Sequence, residues 1–337
     1  MTPRERFLKA LGGVGTDRPA VGSATSVATV GLMEETGCRF PHAHQDAEAM
    51  CGLAAAGGTV LGYDNLAPVF SVQHEAAALG CDVDWGRPEL MPFVTNRPCR
   101  SAGDLRVPAD FLERPSVAVV LEALRLLKRR WGQEYALVGK VFGPWTLAYH
   151  LFWVEEFLMR TLDDPAEVRE ILGTLKEVTA AFAAAQVDAG ADALTLADHA
   201  TGDLCSPRAY AEFLAPIHAE LAKRIECPVI LHICGNTKDR LRTIADTGLC
   251  CFHFESRVPA AEARRIVGDD LRLMGNINNP EVLLRGTTED VAAATRTALE
   301  AGVDIVGPEC AVPLRTPVEN LQAVAATARQ WAEGARG

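Results

Sequence analysis

From Leu172 onward the chain alternates short apolar runs, rich in β-branched residues, with amphipathic helical stretches, five times in succession. That alternation constrains the fold more than any other feature. A helix that carries the chain back to the start of the next strand makes neighbouring strands parallel, whereas antiparallel neighbours need only a turn. Asp164-Pro165 opens a long helix to Gly190, with Asp as N-cap and Pro at the first helical position. A strand follows at Asp192–Ala197, and Ser206-Pro207 caps a helix to Arg224. Strands from Pro228, at Cys250–Glu255, Leu271–Met274 and Val303–Val306 alternate with helices at Asn236–Thr247, at Ala260–Val267 and from Thr287 or Thr288. Thr316-Pro-Val-Glu319 has the form of a capping box for the last helix.

The first half is less regular. Strands are expected at Pro19–Gly22, Thr59–Leu66 and Ala136–Val141, and helices at Asp46–Ala56 and Val117–Arg130. Three more strands bring the count to eight, the number of a TIM barrel, (β/α)8. A doubly wound sheet is the alternative, but no glycine-rich nucleotide turn follows the first strand. The opening MTPRERFLKAL reads as a charged amphipathic helix, an N-terminal helical extension to the barrel. GPWTLAYHLFWVEEFLMRTL, from Gly143 to Leu162, reads as an inserted apolar helix pair, a lid or a packing surface. No linker rich in Pro, Gly or Ser divides the chain, so one domain is expected over residues 1–337.

Composition excludes several classes. A net charge of −11 with interspersed signs does not offer the basic face that nucleic acid requires, nor attraction to an anionic membrane. No apolar window approaches the ~20 residues of a membrane span. Ten cysteines scattered among apolar runs, without a secretory leader, fit free thiols in a reducing cytoplasm.

In a barrel, function gathers where strands end. Four consecutive strands deliver polar residues there: His232 and Cys234, then Glu255, then Asn276 and Asn278, then Cys310. Alternate strand residues share a face, so His-x-Cys presents two soft ligands together, and Cys310 arrives on a nearby strand. An imidazole, two thiols and the Glu255 carboxylate suit Zn²⁺. A lone His-x-Cys is weak, since cysteine often only fills space; the second thiol and the carboxylate strengthen it. Asp198 and His199, at the end of the Asp192 strand, face the same mouth, either as groups that orient a substrate or a metal ligand or as ordinary polar loop residues, and Asn276 and Asn278 are candidates to fix an acceptor or to support a metal ligand. His253, two residues before Glu255, faces either the site or the packed core. Cys250 and Cys251, at the start of a strand, read as core and surface thiols without function, and Cys38, Cys51, Cys81, Cys99, Cys205 and Cys227 as structural; His42, His44 and His218 read as surface residues.

The run from LHICGN through CCFHFES and MGNINNPEVLLRGT to GPECAVPLRTPVENL resembles the zinc-dependent methylcobamide methyltransferases, relatives of uroporphyrinogen decarboxylase that share its TIM barrel. The likeness covers nearly the whole chain, including Pro41–Glu48 and Glu75–Cys81. It implies a zinc ion on His232, Cys234 and Cys310, with Glu255 as the carboxylate ligand. It further implies a methyl group passing from a methylcobamide on a partner corrinoid protein to a thiol, usually coenzyme M. The acceptor sulfur would then displace Glu255 or bind beside it. Homocysteine and tetrahydrofolate remain open as acceptors, as does a corrinoid-binding protein with a structural zinc. The sulfonate of coenzyme M would want a cation, for which Arg257 and Arg315 are candidates. Uroporphyrinogen decarboxylase itself fits poorly, because Gly22-Ser-Ala-Thr-Ser-Val-Ala28 carries none of the arginines that its Arg-Gln-Ala-Gly-Arg stretch uses for substrate carboxylates.

Overall fold

Parallel strands buried on both faces must be apolar nearly throughout, and eight segments of this chain meet that demand. In the computed structural model, which describes residues 1–334, they are β1 (Ala20–Val21), β2 (Asn65–Leu66), β3 (Ala136–Phe142), β4 (Ala193–Ala197), β5 (Val229–His232), β6 (Cys251–Phe254), β7 (Arg272–Ile277) and β8 (Ile305–Pro308). Every pairing is parallel, in the order β1-β8-β7-β6-β5-β4-β3-β2. Hydrogen bonds around Asp64 and Asn65 complete the ring between β1 and β2. The Asp64 N–H donates to the Val21 carbonyl at 2.7 Å. The Asn65 amide accepts from Ser23 N–H at 3.0 Å and donates to the Ser23 carbonyl at 2.9 Å. Gly22 leaves room for this, since a Cβ there would stand 2.3 Å from Asn65 Oδ1. The expected (β/α)8 barrel is the observed one.

The barrel interior is stratified. Small and branched side chains fill its lower part: Ala20, Ala136, Val138, Ala193, Ile230, Cys251, Met274 and Ile305. Phe7, Ala10 and Leu11 of the helix Pro3–Leu11 join that cluster and plug the bottom, so the N-terminal extension is structural. Behind it Arg6 and Arg18 both bond the fully buried Asp64 carboxylate, at 2.6 and 2.8 Å. Two residues further up each strand, polar groups begin: Lys140, Thr195, His232, His253 and Asn276, all buried.

Several local expectations fail for identifiable reasons. The helix Ala47–Thr59 takes over the start of the expected Thr59 strand, and a left-handed turn at Gly62 shortens that strand to Asn65–Leu66. The last helix starts at Val318, and the Thr316 hydroxyl is buried without a partner, so the capping box does not form. The Asn236–Thr247 helix shrinks to a tight turn at Lys238–Arg240 and the short helix Leu241–Ala245. The Ser206 cap is real, but the helix it opens passes through a widened turn at Tyr210–Leu214 before Ala215–Arg224. The apolar insertion is a helix pair, Pro144–Leu151 and Val154–Asp163. Among the described residues no helix is long and apolar enough to cross a membrane.

Candidate metal centre and active site

His232 closes β5, and the chain then turns so that Cys234 comes back beside it; Cys310 lies just beyond β8. Their ligand atoms all lie within 4.8 Å of one another. His232 Nε2 is 3.1 Å from Cys234 Sγ and 3.4 Å from Cys310 Sγ, and the two sulfurs are 3.4 Å apart. Around a tetrahedral zinc with bonds of about 2.3 Å to sulfur and about 2.1 Å to nitrogen, such atoms stand ~3.6–3.8 Å apart. A few tenths of an ångström of expansion would therefore seat the ion. The hydrogen bond between the two sulfurs holds Cys310 well below the usual thiol range and pushes Cys234 up.

The imidazole is oriented from behind. His253 stands directly across from His232 in the β5–β6 register. Its Nε2–H donates to the Pro308 carbonyl at 2.8 Å, which makes Nδ1 an acceptor. His232 Nδ1, 2.8 Å away, then carries the proton and donates to it, leaving the Nε2 lone pair facing the sulfurs. Burial and the His232 ring hold His253 down to about 3, so it stays neutral.

Glu255 stands outside the trio. It follows the end of β6, accepts from the Gly235 backbone N–H, and lies 4.0 Å from Arg257; burial pushes its carboxyl up. A cavity of about 180 Å³ opens onto the three soft ligands, with Lys140, Thr25 and Ser71 elsewhere on its wall. Asp198 and His199 line it. Asp198 is anchored on all sides: Oδ1 accepts from the Thr146 N–H at 2.8 Å, and Oδ2 lies 3.0 Å from His218 Nε2, whose other nitrogen meets the Tyr210 hydroxyl at 3.1 Å. Burial pushes His199 down.

Other expectations do not survive. Asn278 is not free for a ligand: it caps the Glu281 N–H and bonds Ser256 Oγ. Asn276 donates to the Val258 carbonyl, and neither asparagine lines the cavity. Arg257 pairs with Asp203 and Arg315 with Glu89, both exposed and outside it. His218 and His44 are fully buried, not superficial; His42 is exposed. Two charged residues were overlooked, Lys140 in the middle of β3 and Glu75 in the helix Gln73–Ala78. Lys140 carries a sequence signal, a lone charge inside the apolar run ALVGKVF, whereas Glu75 follows the polar pair Gln73-His74 and stands out less.

This geometry can be set beside known proteins. The family description Uroporphyrinogen decarboxylase (URO-D) matches residues 2–331. A methylcobamide:CoM methyltransferase of Methanosarcina barkeri is 33% identical over 333 residues, 98% of each chain. The chain belongs to the uroporphyrinogen decarboxylase family, in the group of methylcobamide:CoM methyltransferases. A methylated-thiol–coenzyme M methyltransferase of Methanosarcina mazei is 35% identical over 324 residues, covering 96% of this chain and 88% of that one. A solved methyltransferase from Methanosarcina mazei superposes with a TM-score of 0.95 at 31% identity, covering 98% of this chain and 99% of that chain.

Proposed function

We propose that this protein is a zinc-dependent methyltransferase that moves a methyl group from a methylcobamide, carried on a partner corrinoid protein, to a small thiol, with coenzyme M the principal acceptor. The observation that carries the reading is the trio itself. Three soft protein donors converge on one point with a cavity opening beside them, the arrangement of a catalytic rather than a closed structural zinc site. The names of the full-length relatives support the donor and the acceptor.

His232, Cys234 and Cys310 would hold the ion. Bound there, zinc would keep the acceptor's sulfur as a thiolate at neutral pH, where a free alkyl thiol with a pKa near ~8.5 is only a few per cent ionised. The protein's own part is positioning. His253 fixes the tautomer of His232, and the Asp198–His218–Tyr210 chain holds the cavity wall rigid. Glu255, beside but outside the trio, would be the carboxylate nearest to hand for the ion's remaining position. The methylcobamide would supply the methyl group and retain the bonding electron pair on its cobalt, and the acceptor would supply the nucleophilic sulfur. The ten cysteines are all free, which suits action in a reducing cytoplasm. Uroporphyrinogen decarboxylation is disfavoured, because Lys140 is the only lysine or arginine among the cavity-lining residues.

Zinc content of the purified protein, followed by demethylation of free methylcobalamin with coenzyme M, homocysteine and tetrahydrofolate in parallel, tests this. One zinc per chain and turnover with coenzyme M are expected. Metal-free protein that cannot take up zinc, or turnover with tetrahydrofolate alone, would overturn it.

A further inference from the structure

Lys140 is the one ammonium buried inside the barrel's polar layer. It lies in the centre of β3 (ALVGKVF), sharing a face with Val138 and Phe142, and is 5% exposed. Among the described residues its Nζ has no hydrogen-bond acceptor and no carboxylate within 4.0 Å; it stands over the Phe142 ring, 5.7 Å from the centroid. Glu75 is the nearby acid, but one of its oxygens accepts the Phe142 N–H and the other has no partner. Burial pushes Glu75 up to about 7 and Lys140 down to about 8. A buried cation without acceptors is costly to hold, and ordinary packing would favour an aliphatic residue there.

What Lys140 faces is the cavity that ends at the metal ligands. The wall carries the Thr25 and Ser71 hydroxyls, with Phe70, Val72 and Met91 between them. An apolar cavity of about 150 Å³ accommodates benzene. The ~180 Å³ here therefore has room for a molecule of roughly seven or eight non-hydrogen atoms.

We propose that Lys140 is the specificity-determining residue of this cavity, binding the anionic end of a short, unbranched thiol whose sulfur points to Cys234, Cys310 and His232. The assignment rests on the methyl-transfer reading for the role of the sulfur, but the anion site stands by itself. The ligand's negative group supplies the acceptors that the ammonium lacks, and its length is bounded by the cavity. A short aliphatic chain with a sulfonate or carboxylate at one end fits, whereas a pterin or a tetrapyrrole does not. Neutral thiols of the same length lose the ion pair and bind more weakly.

Two measurements on the full chain test this. The first uses no thiol and no metal: ethanesulfonate and propionate are titrated calorimetrically into wild type and Lys140→Met, with propanol as the neutral control. Binding of at least one anion to wild type, weakened tenfold to a hundredfold in the variant as expected for loss of a charge-assisted hydrogen bond, supports the assignment. The second sets two anionic thiols, mercaptoethanesulfonate and mercaptopropionate, against neutral mercaptoethanol as acceptors in methylcobalamin demethylation by the zinc-loaded protein, and reads the Michaelis constant for each. Wild type should prefer an anionic thiol over the neutral one by at least tenfold, Lys140→Met should bring that ratio near one, and Lys140→Arg should restore part of it. Equal Michaelis constants for charged and neutral thiols in wild type, or equal losses for both in Lys140→Met, would overturn the proposal. Should Lys140→Met fail to fold by circular dichroism, the wild-type ratio and the wild-type anion titration still decide. Anion binding without methyl transfer would retain the site and sink the reaction.

Discussion

Replacing His253 tests whether the metal site depends on a buried neighbour that never touches the ion. In His253→Leu the ring that accepts from His232 Nδ1 at 2.8 Å is gone, and the Pro308 carbonyl loses its donor. Partners of metal-bound histidines typically contribute 10–100-fold to metal affinity, about 1.4–2.7 kcal/mol. The structure places the expected loss toward the lower end. His232 Nδ1 also lies 3.3 Å from the His253 carbonyl, a backbone group that survives substitution and can take the proton at a poorer distance. A tenfold to thirtyfold loss of zinc affinity is therefore expected for His253→Leu, measured by competition with a chromophoric chelator. In His253→Gln the side-chain oxygen can accept from His232 while its NH₂ donates to Pro308, so most of the affinity should return. Wild-type affinity in His253→Leu, with a thermal transition showing it folded, would refute the relay. Equal losses in both variants would assign the effect to packing instead.

Cys310→Ala should abolish both zinc retention and methyl transfer, read by metal analysis and methylcobalamin turnover; full activity in that variant would remove the site assignment. Asp64→Asn leaves Arg6 and Arg18 without their common carboxylate at the β1–β2 closure, and a loss of about 3 kcal/mol or more in urea unfolding is expected; a change under ~1 kcal/mol would show that the closure does not need the charge. Acid should destabilise the fold from about pH 6.5 downward, because burial holds His44 to about 2 and His74 and His150 to about 4. The unfolded chain protonates these rings near ~6.5, so their stabilisation is complete above that value and is lost as pH falls, by about 2 kcal/mol each at pH 5. Glu75 acts oppositely: its raised pKa of about 7 costs stability as pH rises from ~4.5 and returns about 2 kcal/mol on the way down. His253, held down to about 3, adds a loss of the same size, so a net loss of about 5 kcal/mol between pH 7 and pH 5 follows, and a flat urea midpoint across that range would contradict it.

The barrel was legible because burial on both faces writes itself into a parallel strand as an unbroken apolar run, and those runs recur with helices between them. The convergence of His232, Cys234 and Cys310 was legible for a related reason: they interrupt such runs at their ends. Legibility failed where a side chain's partner comes from elsewhere in the chain. His218 looks like a surface residue of the helix Ala215–Arg224 until the widened turn at Tyr210–Leu214 brings Tyr210 under it and β4 supplies Asp198. Asn278 looks like a ligand-binding amide at a strand end, and only the turn after Ile277 shows it to be a cap. Glu255 is expected at the mouth as the last residue of the strand Cys250–Glu255, but β6 ends at Phe254 and alternation ends with it. Where the backbone leaves the sheet, period-two reasoning has no further force.

The polar layer shows why charge inside this barrel cannot be rearranged one residue at a time. Strand register sets its membership: Ala197, His232 and His253 lie side by side on β4, β5 and β6, and Lys140 sits one residue pair below Phe142 on β3. Below that level every inward residue of the cluster is apolar, and above it the chain leaves the sheet for the loops that carry Cys234 and Cys310. Each polar group buried in this layer needs a specific acceptor or donor to offset its lost hydration. His232 and His253 find theirs in each other and in Pro308, while Lys140 finds none among the described residues. Local violations of the rule that interiors are apolar concentrate where function demands them. Here His232 and His253 lie beside Cys234 and Cys310, and Lys140 lines the same cavity. A ligand that is anionic at one end and nucleophilic at the other is what completes both.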